Sequence, residues 1–380
     1  MIIEKLSNSI DIKKYLNEIG VDGGGVNILA KKAKTHLISI KNLHVGGANI
    51  LKQDALSVGA DLAVPRGTVL ALTPEVDCLL IATTRQLEVL AKKELSQPFG
   101  LKTLAHKIQE FLSTKKSKTV QIMGVINAND DSFFSDSRLK NADAIVKIEL
   151  MIDEGASIID IGGVSSRPNA ALVTPEEEFL RVKPIIDMIK DENLYEKVKF
   201  SIDSYTPKVI EHALNSGFKI VNDIRGLEDD EVCKLCSAYD ATAIIMHMQG
   251  RPQSMQDQPE YANILTDVYD FLQERVLKAE SFGIKDIIID VGIGFGKTVE
   301  DNLILLKHLE HFKTITKPIL IGASRKSMID KIVPSKVENR LGGTLALHQE
   351  AIKNGAEILR VHDVAAHNQL VKITQAFQKI

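Results

Sequence analysis

Residues 120–127 read VQIMGVIN, a short apolar run that ends in an asparagine, and residues 157–163 read SIIDIGG, a second run of the same kind. A stretch with helical spacing of apolar residues separates them, and this unit recurs along the chain as far as Val364. The six further runs are KFSID (199–203), KIVNDI (219–224), TAIIMHM (242–248), DIIIDVG (286–292), PILIGAS (318–324) and EILRVHD (357–363). Strands that alternate with helices predict a parallel sheet with right-handed crossovers.

Eight such units close most simply into a (β/α)8 barrel, and the repeat occupies about 250 residues, the usual size of that fold. An open, doubly wound sheet is the alternative fold. Against it, no G-x-G-x-x-G sequence follows the first strand, as it does in sheets that bind dinucleotides. Several predicted helices also end at a glycine, which is a typical helix stop. These glycines are Gly155, Gly217, Gly283 and Gly355.

The chain is predicted to divide at STKKSK (113–118), a polar and basic segment just before the first barrel strand. We predict a linker there, a barrel over residues 119–380 and a separate small mixed α/β domain over residues 1–112, to which the sequence assigns no chemistry. Its predicted strands are HLISIKNL (36–43), RGTVLAL (66–72) and DCLLIATT (77–84), and its predicted helices are ANILKQDALSV (48–58), QLEVLAKKELS (86–96) and LKTLAHKIQEFL (101–112).

Two glycine-rich segments invite a phosphate-loop interpretation, and both fail it. Gly23 to Gly25 are followed by no Lys-Ser or Lys-Thr pair, so a flexible turn is the better prediction. In DVGIGFGKT (290–298), Val291 stands where a phosphate loop requires glycine. Its alternate glycines are expected to let the backbone turn sharply beneath a ligand, with Phe295 offering a face for stacking.

Composition narrows the class of partner. The formal net charge is only -3, and the basic residues are scattered, so we predict small-molecule substrates and no nucleic acid. No run approaches the ~18 apolar residues of a spanning helix, and the N-terminus does not resemble a signal peptide, which predicts a cytoplasmic protein without a membrane partner.

The three cysteines form no disulfide framework. Cys233 and Cys236 make a lone CxxC on a predicted helix, for which two incidental thiols are the better interpretation than a metal or redox pair.

Polar residues gather at the C-terminal ends of the eight runs and in the loops that follow them, where a parallel barrel assembles its active site. One subset supplies two carboxylates, an amide and a cation, which suits a flat heterocycle with adjacent N–H donors and a carbonyl. This subset is Asp203, Asn222, Asp290 and Lys326. Any one of these residues alone would more often be a helix cap or a turn residue, so the prediction rests on the joint pattern.

A second subset is cationic with one neutral oxygen ligand, which suits a polyphosphate that carries a divalent ion. It consists of Asn127, Arg167, Arg360 and His362. His247, near the end of the fifth run, is left open between a hydrogen-bonded core histidine and a ligand contact. The barrel rim is therefore expected to bind a heterocycle that bears a phosphate leaving group.

Eight segments that carry these residues resemble, in order and spacing, the dihydropteroate synthases of the folate pathway, over about two thirds of the chain. They are IMGVINANDDSFFSD (122–136), DIGGVSSRPNA (160–170), FSIDSY (200–205), VNDIRG (221–226), MHMQGRPQSMQ (246–256), DVGIGFGK (290–297), GASRKS (322–327) and RVHDV (360–364). Enzymes of this family have a TIM-type (β/α)8 barrel. They join 4-aminobenzoate to 6-hydroxymethyl-dihydropterin diphosphate and release diphosphate.

The resemblance implies a role for each matching residue. Asn127 corresponds to an asparagine linked to Mg²⁺ near the diphosphate, and Arg167, Arg360 and His362 would contact that anion. The pterin set would be Asp203, Asn222, Asp290 and Lys326, with Met246, Phe295 and Gly322 shaping its pocket. Ser166, Pro168, Lys326 and Ser327 would border the aminobenzoate. The implied catalytic residues are Asn127, Arg167, Lys326, Arg360 and His362, and the implied assembly is a homodimer.

The chain departs from the family pattern in its first loop. Residues 127–137 read NANDDSFFSDS, where the family usually has NVTPDSFSDGG, so we expect the contacts of loop 128–137 to differ. Single departures are Val164 for glutamate, Ser166 for threonine, Asn169 for glycine and Val291 for proline. The hydroxyl at position 166 survives.

Two other functions share part of this pattern. One is a methyltransferase with a pterin-binding barrel, which passes the methyl group of methyltetrahydrofolate to a corrinoid protein and needs no diphosphate site. The other is a pterin-binding module without catalysis. Lys326 within SRKS and the pair of Arg360 and His362 favour the synthase over the methyltransferase, and the retention of every anion-binding residue argues against the module.

Overall fold

The computed structural model describes residues 1–7, 10–113, 119–128, 137–164, 173–250, 255 and 259–378. Its chain separates into two compact units, Met1–Lys116 and Ser117–Lys379. The boundary between them falls within the predicted linker, of which residues 114–118 lie outside the described residues. None of the helices in the described ranges is long and apolar enough to cross a bilayer.

The first unit is a three-stranded antiparallel sheet with helices against one face, in the strand order β1-β3-β2. Alternate residues of β3 are buried, and the apolar side chains of α3, α4 and α5 cover that face. Its elements are α1 (Ile12–Glu18), α2 (Gly23–Lys32), β1 (Thr35–His44), α3 (Val45–Ser57), β2 (Asp61–Ala63), β3 (Glu75–Thr83), α4 (Thr84–Glu94) and α5 (Leu101–Ser113). The predicted small mixed α/β fold is confirmed.

Two local predictions in this unit were wrong. The segment RGTVLAL is not a strand, because residues 68–70 form a 3₁₀ turn between Gly67 at φ 90° and Ala71 at φ 51°. The apolar side chains of Val69, Leu70 and Leu72 are exposed. The segment has the composition of a strand, but it does not take part in the β1-β3-β2 sheet. The triglycine segment is not a flexible turn but the first turn of α2, because the Asp22 carboxylate accepts a hydrogen bond from the Gly24 N–H (2.9 Å) and caps the helix.

The second unit is a closed parallel barrel with the strand order β10-β11-β4-β5-β6-β7-β8-β9. Each of the eight predicted runs contains one strand, so the predicted fold is confirmed. The strands are β4 (Gln121–Asn127), β5 (Ile158–Gly162), β6 (Lys199–Asp203), β7 (Ile220–Asp223), β8 (Thr242–Met246), β9 (Ile287–Asp290), β10 (Ile319–Ile321) and β11 (Ile358–Val361). The helices are α6 (Ser137–Asp153), α7 (Pro175–Asp191), α8 (Pro207–Asn215), α9 (Asp230–Ala238), α10 (Ile264–Ser281), α11 (Val299–Lys307), α12 (Ser327–Ile332), α13 (Leu341–Lys353) and α14 (Val364–Gln378).

The barrel interior is built in layers. One residue from each of seven strands packs into a buried apolar layer: Met123, Ile158, Ile220, Ile244, Ile288, Leu320 and Ile358. Side chains alternate along a strand, so the residue two positions further on points into the same interior. On five of these strands that residue is Asp160, Asn222, Met246, Asp290 or Arg360. An apolar floor therefore carries a mostly polar layer at the C-terminal end of the barrel.

The predicted glycine helix stops are confirmed, since Gly155, Gly217, Gly283 and Gly355 all have φ between 84° and 109°.

Replacing Gly217 with alanine should lower the free energy of unfolding by about 1 to 3 kcal/mol, because of the left-handed backbone. The new Cβ would also lie 2.8 Å from Cγ of the Tyr195 ring. Chemical denaturation measures the change. Gly342→Ala is the matched control, because a Cβ there meets nothing within 4 Å. Equal stability of the two variants would contradict this account of the helix end.

Candidate active site

Arg360 lies at the centre of the polar layer and joins two carboxylates. From β11, its Nε donates to Asp160 Oδ2 on β5 (2.7 Å), and its Nη2 donates to Asp203 Oδ2 on β6 (2.6 Å). Desolvation raises the pKa of Asp203, and the positive charge of Arg360 opposes that shift. These two short ion pairs compensate the charges of both carboxylates inside the barrel.

Asn222 extends this network from β7. Its Nδ2 donates to Asp160 Oδ2 (3.2 Å), so the same carboxylate oxygen receives both the amide and the guanidinium. Asp160 Oδ1 is buried and has no hydrogen-bond partner among the described residues. The neighbouring Asp223 has a different role, because it accepts the backbone N–H groups of Arg225 (2.7 Å) and Leu227 (3.1 Å) and stabilises the turn after β7.

Asp290 and Lys326 supply the opposite charges on the other side of the interior. Asp290 Oδ1 accepts the Gly292 N–H (2.8 Å), and burial raises the pKa of this carboxyl group. The Lys326 Nζ lies 4.1 Å from the centroid of the Phe295 ring. Burial, together with the charge of Arg360, lowers the pKa of Lys326 to about 8, and the negative charge of Asp290 opposes the shift. The lysine is therefore predominantly an ammonium ion at pH 7.

An apolar wall borders these charges. Met246 and Phe295 belong to one buried cluster with Ile224 and Met255. Gly322 follows β10, and a Cβ built there would lie 3.7 Å from the Arg360 Cβ. An aromatic face beside carboxylate, amide and ammonium groups suits a flat, polar ring.

Lys297 organises the glycine loop that carries Phe295. Its Nζ donates to His247 Nδ1 (2.9 Å) and to the carbonyl oxygens of Gly292 (3.0 Å) and Phe295 (2.9 Å). These three short contacts match the three protons of an ammonium ion, and the His247 carbonyl oxygen is a fourth, more distant acceptor at 3.4 Å. Burial lowers the pKa of Lys297 to about 7, but the surrounding acceptors and the negative charge of Asp290 favour the ammonium ion over the neutral amine. The expected sharp turns are present, with φ of 70°, 83° and 61° at Gly292, Gly294 and Gly296.

The same contact answers the open question about His247. Its ring is 5% exposed and packs edge-on against Phe271, and its Nδ1 accepts from Lys297. Burial, followed by the charge of Lys297, holds the pKa of His247 well below its usual value, so the ring is neutral. His247 is a core histidine that anchors the loop.

The predicted anion-binding residues are only partly described. His362 Nδ1 lies 2.9 Å from Ser324 Oγ, and burial with the charges of Arg360 and Arg325 lowers the pKa of His362 to about 4. Arg325 pairs with the Asp363 carboxylate through Nε and Nη2, which ties the loop after β10 to the end of β11. Ser327 is the first residue of α12.

Asn127 ends β4 beside Gly162, with a half-buried side chain. Ser166, Arg167 and Pro168, like residues 129–136 of the atypical first loop, lie outside the described residues. Of the predicted set, the structure brings the following to the C-terminal end of one barrel: Asn127, Asp203, Asn222, Met246, Asp290, Phe295, Gly322, Lys326, Ser327, Arg360 and His362. The role of each remains a prediction.

Sequence reasoning missed Asp160 and Lys297. A signal for Asp160 existed, because it is the one charged residue in the otherwise apolar run SIIDIGG and stands two positions after Ile158. Lys297 carried no such signal, because its partners are backbone carbonyls and a histidine that is distant in sequence.

The barrel that carries this site is similar to known proteins. The sequence model of the family described as "Pterin binding enzyme" matches residues 123–362. The chain is 40% identical to the bifunctional dihydropteroate synthase/dihydropteroate reductase of Helicobacter pylori over 379 residues, covering 100% of both chains. It is 42% identical to the dihydropteroate synthase of Haemophilus influenzae over 259 residues, which cover 67% of this chain and 93% of that protein.

The barrel also resembles a crystal structure of a dihydropteroate synthase from Clostridium difficile, determined in the presence of pteroic acid. The TM-score is 0.64 at 37% identity, and the match covers 69% of this chain and 98% of that one.

Lys297→Met should lower the free energy of unfolding by about 2 to 4 kcal/mol, because two buried carbonyls and His247 Nδ1 would lose their charged donor. Lys285→Met is the control, since that lysine is exposed and pairs with the exposed Asp240, so its replacement should leave the free energy of unfolding nearly unchanged. Urea denaturation measures both. A Lys297→Met protein as stable as the control would show that the loop does not depend on this ammonium group.

Proposed function

The chain belongs to the pterin-binding enzyme family, and from that premise we propose how its barrel carries out the reaction of a dihydropteroate synthase. This transferase condenses 6-hydroxymethyl-7,8-dihydropterin diphosphate with 4-aminobenzoate to give 7,8-dihydropteroate and diphosphate, a step of folate biosynthesis. The observation that carries the assignment to this site is the charged barrel interior, where Arg360 lies between Asp160 and Asp203.

The interior matches the edge of a pterin ring, which has adjacent N–H donors beside a carbonyl. Asp290 is the proposed acceptor for the paired N–H groups, because its Oδ1 is held by the Gly292 N–H. Lys326 is the proposed donor to the carbonyl, and Asn222 and Asp203 serve the remaining polar edge. Phe295 offers an apolar face to the ring.

The main task of the reaction is departure of the diphosphate, because an arylamine is a weak nucleophile. The C–O bond to the pterin methylene breaks with its electron pair on the diphosphate, and the C–N bond forms from the lone pair of the amine. We propose that Arg360, His362 and Arg167 stabilise the charge that develops on the leaving group. The attacking amine is neutral and loses its proton afterwards, so no strong general base is required.

We propose that Mg²⁺ binds at the leaving-group end of this site. Asn127 is the proposed protein ligand, because it ends β4 at the C-terminal end of the barrel and has a half-buried side-chain amide. Mg²⁺ usually keeps several waters and takes few protein ligands when substrate phosphates are present, so one amide oxygen suits it. When bound, the ion would offset negative charge on the diphosphate.

Further proposals concern the aminobenzoate site and the state of the protein. The aminobenzoate is proposed to lie against Ser166, Pro168, Ser327 and Lys326.

A cytoplasmic homodimer is proposed as the working form. Helices α11 and α14, which both pack against α13, support the dimer, because they carry the exposed apolar side chains of Leu303 (41%), Ile373 (52%) and Phe377 (72%).

A second activity, reduction of the product, is favoured by one observation. The similarity to the Helicobacter pylori protein named as a synthase and a dihydropteroate reductase extends over the whole chain, including the first unit, whereas the Haemophilus influenzae synthase matches only 67% of the chain. The reduction would add a hydride to C6 and a proton to N5 of 7,8-dihydropteroate. A reduced nicotinamide or reduced flavin would supply the hydride and be oxidised.

For the synthase activity, we predict that diphosphate release from the pterin substrate depends on 4-aminobenzoate, and that Asp290→Asn weakens pterin binding about 10-fold to 100-fold, as loss of a charged hydrogen-bond acceptor should. Asp286→Asn is the control, because that exposed residue immediately precedes the same strand. Calorimetric titration gives the affinities. A methyltransferase or a non-catalytic module would release no diphosphate, and wild-type affinity of Asp290→Asn would remove this residue from the pterin site.

For the reductase activity, we predict that the purified chain oxidises a reduced nicotinamide or reduced flavin only when 7,8-dihydropteroate is present, and that the product gains two mass units. Absorbance of the reductant and mass spectrometry of the product measure the reaction. The Haemophilus influenzae synthase is the control. Equal rates for the two proteins would mean that this chain has no reductase activity of its own.

A further inference from the structure

Two buried histidines join the loops that follow β10 and β11. The Ala323 N–H donates to His348 Nε2 (3.1 Å), His348 Nδ1 lies 2.8 Å from His367 Nε2, and His367 Nδ1 lies 2.6 Å from the Asp363 carbonyl oxygen. Both rings have 0% exposure. We propose that His348 and His367 are positioning residues, which hold Lys326 at a fixed distance from Arg360 and His362. The proposal rests on the function proposed above for those three residues.

The hydrogen bonds allow only one protonation pattern. A backbone N–H can only donate, so His348 Nε2 accepts and bears no proton. The proton of His348 is therefore on Nδ1 and is donated to His367 Nε2, and the proton of His367 is on Nδ1 and is donated to the carbonyl oxygen. Both rings are neutral, and burial holds the pKa of each below its usual value. Each hydrogen bond from the Ala323 N–H to the Asp363 carbonyl oxygen therefore has one possible donor and one possible acceptor, so the series runs in a single direction.

The two ends of this connection belong to the two loops that carry the charged groups. Ala323 lies three residues before Lys326, and Asp363 directly follows His362. Two further contacts join the same loops: Arg325 with the Asp363 carboxylate, and Ser324 Oγ with His362 Nδ1. Those two contacts are only partly buried, whereas the histidine pair, on α13 and α14, is fully buried.

Directionality is what distinguishes the pair from ordinary packing. Two apolar side chains could fill the same volume, but they would leave the Ala323 N–H and the Asp363 carbonyl without these partners and would not fix the separation of the loops. A misplacement of about 1 Å can cost about 100-fold in rate. Neither histidine is bonded to a residue of the pterin set, so their effect would pass through the backbone.

The test compares His348→Gln with His348→Leu in the full chain. Glutamine can accept from Ala323 and donate to His367, whereas leucine can do neither. We expect His348→Leu to lower kcat/KM for the pterin diphosphate about 10-fold to 100-fold, mainly through kcat, and His348→Gln to retain most of it. Equal activity of the two variants, at equal stability against urea, would overturn the proposal.

Chemical rescue gives an independent readout if leucine disturbs folding. His348→Ala leaves a buried cavity in which imidazole can restore both hydrogen bonds, whereas 1-methylimidazole can accept but cannot donate. Rescue by imidazole alone supports positioning, and equal rescue by both compounds, or by neither, overturns it. Nitrogen NMR at pH 7 should also show Nδ1–H tautomers for both rings without any turnover. A wild-type chain that lacks diphosphate release would instead refute the proposed function, and the tautomers would still test the geometry.

Discussion

The barrel interior depends on the charge balance around Arg360. A guanidinium between two carboxylates is the arrangement that makes such a buried layer tolerable, because an unpaired charge in this position would cost several kcal/mol. Asp160, Asp203 and Arg360 come from strands that are up to 200 residues apart in sequence. The charges are therefore paired only when the barrel closes, so folding and assembly of the site depend on the same contact.

Much of this organisation could be predicted from the sequence, because strand runs repeat and side chains alternate with a period of two. That regularity placed Asp203, Asn222, Asp290 and Arg360 at one end of the barrel. Contacts that depend on backbone atoms could not be predicted in the same way, and Lys297 is the clearest example, since it binds two carbonyls of its own loop. The wrong strand over residues 66–72 has a related cause, because propensity cannot show whether a partner strand exists.

The site also shows how neutral groups support charged ones. His247 anchors Lys297, and His348 anchors the loop that leads to Lys326, and both histidines are uncharged because burial and nearby partners lower their pKa. A protonated ring in either place would add a positive charge beside a buried lysine or turn an acceptor into a donor. Apolar surroundings thus keep these histidines in the state that holds the lysines.

The glycine loop after β9 has a consequence for ligand affinity. A Cβ at position 292 would lie 1.9 Å from the His247 carbonyl oxygen, and one at position 296 would lie 2.5 Å from the Gln249 carbonyl oxygen, so the backbones touch with no side chain between them. These close approaches and the contacts of Lys297 fix the shape of the loop. Binding of a ligand then loses little conformational entropy in this loop. A small planar compound can therefore have a large binding free energy per non-hydrogen atom.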